Sequence, residues 1–186
     1  KYVRAIELTF EDDNWASQLA SNYATGEEIP CMLKFGDETI QGVGIRYKGN
    51  TSYQRSGEKK SINTSVDKTV ADADLKGYDT LNFNNANMDQ TLLKEVLYFN
   101  TFKKYAPCPG AGFVQLDING ENWGVYSNVQ QQDGSLIRQY FGKNGGDRWK
   151  APSGRGSGAG DNSGPGGGGP PGGRPPGGGP PGGGPG

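Results

Sequence analysis

The sequence lacks histidine altogether and has only two cysteines among its 186 residues. The absence of histidine excludes the Ser-His-Asp and Cys-His arrangements of nucleophilic catalysis. With only two cysteines to supply sulfur ligands, no zinc or other resident metal site is expected. No apolar run approaches the length of a membrane-spanning helix, so no membrane span is predicted.

The sequence also lacks a strong excess of charge of either sign, since its formal net charge is −1. Without Arg155, Arg174 and Asp161, which lie near the C-terminus, 17 basic and 19 acidic residues remain, a net charge of −2. A domain that binds nucleic acid usually carries a basic surface. No nucleic-acid partner is therefore predicted, and any basic cluster in this chain indicates a local site.

The two cysteines, Cys31 and Cys108, are far apart in the sequence and fit no metal-binding spacing. They form either one disulfide or two buried thiols. The sequence favours the buried thiols, because free cysteine is among the most frequently buried residue types.

Residues 153–186 differ in composition from the rest of the chain, with 18 glycines and 8 prolines in 34 positions. Such a segment cannot bury enough apolar surface to offset the entropy lost on ordering. Its five-residue repeat is not the three-residue repeat of collagen. We expect a folded domain over residues 1–152 and a disordered, partly extended spacer or inter-lobe linker over residues 153–186.

Alternating apolar residues and turn signals predict several strands in the first domain. "IELTF" and "KSINTSVD" read as strands, and Gly36-Asp37 and Asn119-Gly120 mark the tips of two hairpins. Gly42 or Gly44 marks a bulge in the second strand of the first hairpin. "YDTLNFNNANMD" reads as a further strand that runs into an asparagine-rich loop.

Three helices are predicted between these strands. The first is capped by Asp12 or Asp13, and the last is closed by Gly142. The longest, "DQTLLKEVLYFNTFKKY", has Asp89 as its N-cap and a broad apolar face that includes Val96. The order of elements predicts an α+β domain in which a helix packs on a curved antiparallel sheet.

One local basic cluster is evident in "GIRYKGNTSYQRSGEKKS", residues 44–61, which has five basic residues and one acid. Arg46 and Lys48 share one face of a strand, and Lys59 and Lys60 follow after a polar loop. Fixed cations beside open backbone donors can hold phosphate oxygens. The pattern alone favours a solvated edge strand whose charges prevent aggregation.

Two further stretches are rich in polar residues. "LNFNNANMDQTLLKE" contains Asn84 and ends at Glu95, which lies on the predicted helix. Residues 128–132 form an amide-rich strand end that includes Gln130 and is a candidate wall of a cleft. Most of these amides are expected to stabilise turns, because asparagine side chains often bond the turning backbone.

Three blocks in this order resemble the CotH kinase family, which is named for the spore coat protein H proteins. The blocks are "VGIRYKGNTSY…KKS", "LNFNNANMDQTLLKEVLYF" and "VQLDINGENWGVYSNVQQQDGSLIRQYFG". "RYKGNTS" is similar to the family's Arg-x-Lys-Gly-Asn-Ser/Thr-Ser motif, and "INGENWGVY" is similar to its hairpin motif. The resemblance covers residues 4–150 and indicates the N-terminal part of such a protein.

The resemblance implies an atypical protein kinase that transfers phosphate from ATP to serine in coat or secreted proteins. ATP and a divalent metal, Mg²⁺ or Mn²⁺, are the implied cofactors, and the implied location is extracellular, on the cell surface or in the spore coat. The implied fold is an atypical kinase N-terminal lobe. The implied phosphate-binding residues are Arg46, Lys48, Lys59 and Lys60, supported by Glu95, Asn84 and Gln130. Glu95 would be the helical carboxylate that orients a lysine.

The chain departs from the family pattern in three places. Asn63 stands near a position where the family often has a basic residue, and Gln130-Gln131 replaces a Glu-Gln pair. The aspartates that hold the metal and accept the hydroxyl proton lie, in the family, beyond the matched blocks. The catalytic residues are therefore expected outside this chain, in a missing C-terminal kinase lobe, and the chain alone is expected to be inactive.

Two other functions are compatible with the sequence. In the first, the chain is a non-catalytic coat or cell-surface binding module whose basic loop binds an acidic partner and whose tail is a flexible spacer. In the second, a carbohydrate stacks on aromatic residues such as Tyr47, Tyr53 and Trp123. Packing in the core explains such aromatics more simply.

Overall fold

The computed structural model describes residues 3–143 and residue 149. Its seven strands are β1 (Arg4–Thr9), β2 (Ile29–Phe35), β3 (Glu38–Lys48), β4 (Ser61–Ser65), β5 (Thr80–Asn84), β6 (Ala111–Ile118) and β7 (Glu121–Val129). Its four helices are α1 (Trp15–Ser21), α2 (Thr51–Gln54), α3 (Lys94–Phe102) and α4 (Gly134–Phe141). No helix in the described part of the chain is long and apolar enough to cross a membrane.

The strands form a closed barrel in the order β1-β2-β3-β4-β5-β7-β6. β1 closes it, because it pairs antiparallel with β2 on one side and parallel with β6 on the other, from Arg4–Val114 to Leu8–Ile118. All other neighbouring pairs are antiparallel. The interior is filled by alternate strand residues, among them Leu8, Leu33, Ile45, Phe83 and Leu116.

The predicted α+β fold, a curved antiparallel sheet with a packed helix like an atypical kinase N-terminal lobe, is wrong. The sheet closes on itself, and the helices are short and peripheral. Closure depends on the parallel pairing of two strands more than 100 residues apart, which no local pattern reveals. The predicted apolar face of α3 buries Val96 alone, whereas two other residues of that face, Leu93 and Phe102, are 46% and 40% exposed.

Several predictions of local structure are confirmed. Both predicted hairpin tips, Gly36-Asp37 and Asn119-Gly120, connect paired strands. The predicted bulge lies in β3 at Gly42, which has φ +68°, opposite the point on β2 where the pairing register shifts between Cys31 and Leu33. Gly142 closes α4 with φ 73°. The two cysteines are free and buried.

Two predicted helix starts are wrong. α1 begins after Asn14, which makes no side-chain cap bond, so neither Asp12 nor Asp13 is its N-cap. α3 begins after Leu93, four residues later than the predicted N-cap Asp89, because Leu92 has φ +61° and interrupts the helix. The Gly/Pro-rich tail predicted for residues 153–186 lies outside the described residues.

Candidate functional site

A cleft of about 550 Å³ lies between the outer face of β3, β4 and β5, the asparagine-rich loop after β5, and α3. This volume is within the usual range for a small-molecule site. The polar residues that line it are Lys48, Ser52, Ser61, Asn84, Asn85, Asn87, Asp89, Lys94 and Glu95, and the apolar ones are Ala86, Met88, Tyr98 and Phe99. We call it the Lys48 cleft.

Asn82 fixes the ammonium group of Lys48. On β5, Leu81 and Phe83 point into the barrel, so Asn82 faces outward beside the neighbouring strands. Its Oδ1 accepts from Lys48 Nζ at 2.7 Å and from Asn63 Nδ2 at 3.1 Å. Its Nδ2 donates to the Val129 carbonyl at 3.2 Å and to Gln131 Oε1 at 2.8 Å. Asn82 therefore links β3, β4, β5 and β7 beneath the cleft.

Glu95 lies in the first turn of α3 and is held by Asn84, whose Nδ2 donates to Glu95 Oε1 at 2.8 Å. The second carboxylate of the cleft, Asp89, accepts from the Lys94 N–H at 2.8 Å and from the hydroxyl of Thr91 at 2.6 Å. The bond from Thr91 is the largest cause that lowers the pKa of Asp89. Both carboxylates are thus already bonded within the protein.

Asn85 attaches the polar loop after β3 to the end of β5. The Ser61 hydroxyl donates to Asn85 Oδ1 at 3.0 Å and accepts from the Asn85 N–H at 3.1 Å. Asn85 Nδ2 donates to the carbonyl of Lys59 at 2.9 Å and to that of Ser52 at 3.3 Å. These bonds place Ser52 of α2 and Ser61 of β4 at the wall of the Lys48 cleft.

Lys59 and Lys60 donate to backbone carbonyls rather than line the cleft. Lys60 Nζ donates to the carbonyls of Tyr53 at 2.8 Å and Arg55 at 2.6 Å, which closes the turn after α2. Lys59 Nζ donates to the Val125 carbonyl at 2.7 Å and lies 4.5 Å from the centre of the Tyr126 ring. Burial lowers the pKa of Lys59.

Arg46 and Gln130 also lie outside the lining of the cleft. Arg46 Nε is 3.9 Å from Glu28, whose carboxylate also contacts Lys68 at 3.3 Å and the Ser65 hydroxyl at 2.6 Å. Gln130 Oε1 accepts from the Gly110 N–H at 3.0 Å, and Gln130 lines a separate cleft of about 220 Å³. Of the seven predicted site residues, the structure brings together Lys48, Asn84 and Glu95.

Sequence reasoning missed several residues of this site, above all Asn82 as the partner of Lys48. The signal was present, because Asn82 and Asn84 alternate with buried apolar residues and so share the outer face of one strand. Asn63, noted as a departure from a basic residue, proves to be a buried member of the Asn82 network at 4% exposure. Gln131, rather than Gln130, reaches this network.

The donors of the cleft fit phosphate oxygens better than a bare metal ion. The ammonium groups of Lys48 and Lys94 and the hydroxyl of Ser52 are the kinds of groups that bind phosphate. Among the described residues, no group of three or more carboxylate or cysteine side chains is placed to hold a metal. A divalent cation would therefore reach this cleft mainly through the phosphates it accompanies.

No curated protein shows significant similarity to this sequence. The sequence model of the family described as CotH kinase protein, however, matches residues 45–163, more than half of the chain. The matched range contains every residue that lines the Lys48 cleft. The chain belongs to the CotH kinase protein family.

Proposed function

We propose that the chain is the nucleotide-binding part of a CotH-type kinase that transfers phosphate from ATP to serine hydroxyls of coat or secreted proteins. The single observation that carries the proposal is the fixed ammonium of Lys48, 2.7 Å from Asn82, in a cleft large enough for a nucleotide. A positioned cation requires little reorganisation when an anion binds, which makes the interaction effective. Family membership supports the kinase-related function.

In this proposal, Lys48 is the main phosphate ligand, and Lys94 adds a second positive charge at the start of α3. Asn84 occupies the bonding position on Glu95 that a lysine would take in a lysine–carboxylate pair. Arg46, Lys59 and Lys60, expected from the resemblance to contact phosphate, are proposed to shape the surrounding loop and strand instead. Their bonds to Glu28 and to backbone carbonyls support that role.

We further propose that this chain does not transfer phosphate by itself. Phosphoryl transfer needs a carboxylate to hold Mg²⁺ or Mn²⁺ and one to receive the hydroxyl proton. In the cleft, Asp89 is bonded to Thr91 and the Lys94 N–H, and Glu95 is bonded to Asn84. The remaining carboxylates would come from a C-terminal kinase lobe, which would also complete the site for the protein substrate.

Calorimetric titration with ATP, with and without Mg²⁺, tests the binding step. We expect saturable binding by the chain and a loss of about tenfold or more in affinity in Lys48→Gln, because a charge-assisted bond contributes roughly 1.5–3 kcal/mol. Lys34→Gln is the matched control. Lys34, on β2, is a partly exposed lysine paired with Glu7 of β1 and is not among the residues that line the cleft, so its removal should leave affinity unchanged.

A chain that binds no ATP under any of these conditions contradicts the nucleotide proposal, and equal binding by Lys48→Gln contradicts the role of Lys48. A radiolabel assay with ATP, Mg²⁺ and a serine-rich protein tests the second proposal separately. Phosphate transfer by the purified chain would show that no further lobe is required.

A second candidate function is a non-catalytic coat or cell-surface module that binds an acidic partner. Arg55, also in the basic loop, is exposed and lies outside the lining of the Lys48 cleft, which favours contact with an acidic partner over contact with a nucleotide in that cleft. This function predicts binding of a polyanion such as polyglutamate that ATP does not displace. Displacement by ATP in the same calorimeter would favour the nucleotide site.

A further inference from the structure

A second cavity, of about 780 Å³, lies at the end of the barrel where β1 and β6 begin and β2 ends. This volume is within the usual range for a small-molecule site. Most of its lining is apolar and includes Ile6, Leu81 and Val114, which belong to the barrel core. Among the described residues, none lines both this cavity and the Lys48 cleft. We call it the Arg4 cavity, after the cation at its edge.

Open space at Gly112 and a polar side chain at Asn128 distinguish this end of the barrel from the packed core. Asn128 pairs with Gly112 on one side and with Phe83 on the other. Because directly paired residues share a face of the sheet, Asn128 points to the interior side, as the fully buried Phe83 does. An added Cβ at Gly112 would meet no atom within 4 Å. The cavity therefore has room for a ligand atom beside an amide that can donate a hydrogen bond.

Arg4 supplies a positive charge at the edge of the cavity. It pairs with Val114 in the register that places Ile6 and Leu8 in the barrel core, so its side chain leaves β1 on the interior side. Its guanidinium carbon lies 5.6 Å from the centre of the Phe35 ring, whose residue also lines the cavity. The guanidinium is exposed to solvent and can meet a ligand that enters from this end of the barrel.

The charges that line the Arg4 cavity are both positive. They belong to Arg4 and Lys76, and no carboxylate of the described residues lines it. The acids next to lining residues in the sequence, Asp74 and Asp79, lie outside the lining. Lys76 is paired with Glu38, whereas Arg4 forms no ion pair within residues 3–143. Because a guanidinium can bind a carboxylate through two parallel N–H donors, a ligand carboxylate is the partner that suits Arg4 best.

We propose that the Arg4 cavity binds a small apolar monocarboxylate, of the size of a medium-chain fatty acid. The hydrocarbon part would contact Ile6, Leu81 and Val114, and the carboxylate would pair with the Arg4 guanidinium and accept from the Asn128 amide. Burial of the hydrocarbon would supply most of the affinity, and Arg4 would select for the carboxylate. This site is separate from the proposed nucleotide site, so its occupancy does not depend on ATP.

Calorimetric titration with octanoate, below its micelle-forming concentration, tests this proposal. Octan-1-ol is the matched control without the charge, and acetate is the control without the chain. We expect saturable binding of octanoate at one site, about fivefold weaker binding of octan-1-ol and roughly tenfold or more weaker binding of acetate. Saturating ATP and Mg²⁺ should leave the octanoate affinity unchanged, because the two sites share no lining residue.

Variants of the protein locate the binding site. Gly112→Leu should weaken octanoate binding about tenfold or more, because the new side chain would occupy the cavity. Arg4→Gln should weaken octanoate binding about fivefold at low salt and leave octan-1-ol binding unchanged. Arg138→Gln, which removes an exposed arginine of α4 outside the lining, is the matched control and should change neither. Urea unfolding of each variant confirms that it folds.

Octan-1-ol that binds as tightly as octanoate overturns the carboxylate selectivity. Octanoate binding that Gly112→Leu does not weaken, or no saturable octanoate binding at millimolar concentration, overturns the site itself. Displacement of octanoate by ATP would place octanoate in the Lys48 cleft and would also overturn the proposal.

Discussion

Asn82 gives the sharpest prediction of the structure, because one buried amide holds four partners. It is 5% exposed and bonds Lys48, Asn63, Gln131 and the Val129 carbonyl. In Asn82→Leu all four bonds are lost. A hydrogen bond contributes about 0.5–1.5 kcal/mol net, and a buried polar group left without a partner costs about 1–3 kcal/mol.

In this variant the buried amide of Asn63 loses the acceptor that Asn82 Oδ1 provides. We therefore expect Asn82→Leu to reduce the free energy of unfolding by about 3–5 kcal/mol, a large share of the usual 5–15 kcal/mol. Urea unfolding followed by circular dichroism measures this. Asn87→Leu is the matched control, because the Asn87 side chain accepts a long bond of 3.5 Å from Arg55, and we expect a loss below about 1 kcal/mol.

A double-mutant cycle separates the Lys48 bond from the rest of the network. Lys48→Met combined with Asn82→Leu should show a coupling energy of about 1.5–3 kcal/mol, the range for a hydrogen bond to a charged group. A loss below about 1 kcal/mol in Asn82→Leu, or additive effects in the cycle, would refute the claim that Asn82 positions Lys48.

Three further predictions concern stability. In urea unfolding, Gly49→Ala should reduce the free energy of unfolding by about 0.5–1.5 kcal/mol more than Gly57→Ala does. Both glycines have positive φ, but an added Cβ would lie 2.0 Å from the Ser52 hydroxyl at Gly49 and would meet nothing within 4 Å at Gly57. Equal losses in the two variants would contradict this contact. Burial raises the pKa of Cys31 to about 12 from 9.0, so its stabilising contribution is complete below pH 9 and is lost between pH 9 and 12. Stability should then fall by up to about 1.4 kcal/mol per pH unit above pH 9, and by less in Cys31→Val; identical slopes would refute it. Asp133→Ala should lose about 1 kcal/mol, because the carboxylate caps α4 by accepting from two backbone N–H groups; no loss would show that the cap is dispensable.

The local elements of this fold were predictable, and its closure was not. Asn119-Gly120 takes φ values of 48° and 81°, which is the backbone that an Asn-Gly hairpin tip favours. The pairing of Arg4 with Val114 joins distant parts of the chain and leaves no trace in local periodicity. The apolar residues of α3 predicted a buried face, but Leu93 and Phe102 are exposed, because periodicity alone cannot show whether an apolar helix face packs against the sheet of its own chain.

The candidate site was predictable in part. Lys48, Asn84 and Glu95 were identified from motif resemblance, and the structure brings them to one cleft. The sequence could not separate Lys48 from Lys60, because spacing places both in one basic loop. Only the fold shows that the Lys60 side chain turns back to the carbonyl of Arg55.

The measurement that tests the central claim most directly is a backbone amide NMR titration of the chain with ATP and Mg²⁺. Shifts concentrated at Lys48, Ser52, residues 84–89 and the first turn of α3 would be the result that the account predicts. Shifts centred on Arg46 and Glu28, or no shifts at millimolar ATP, would contradict the assignment of the Lys48 cleft as the nucleotide site.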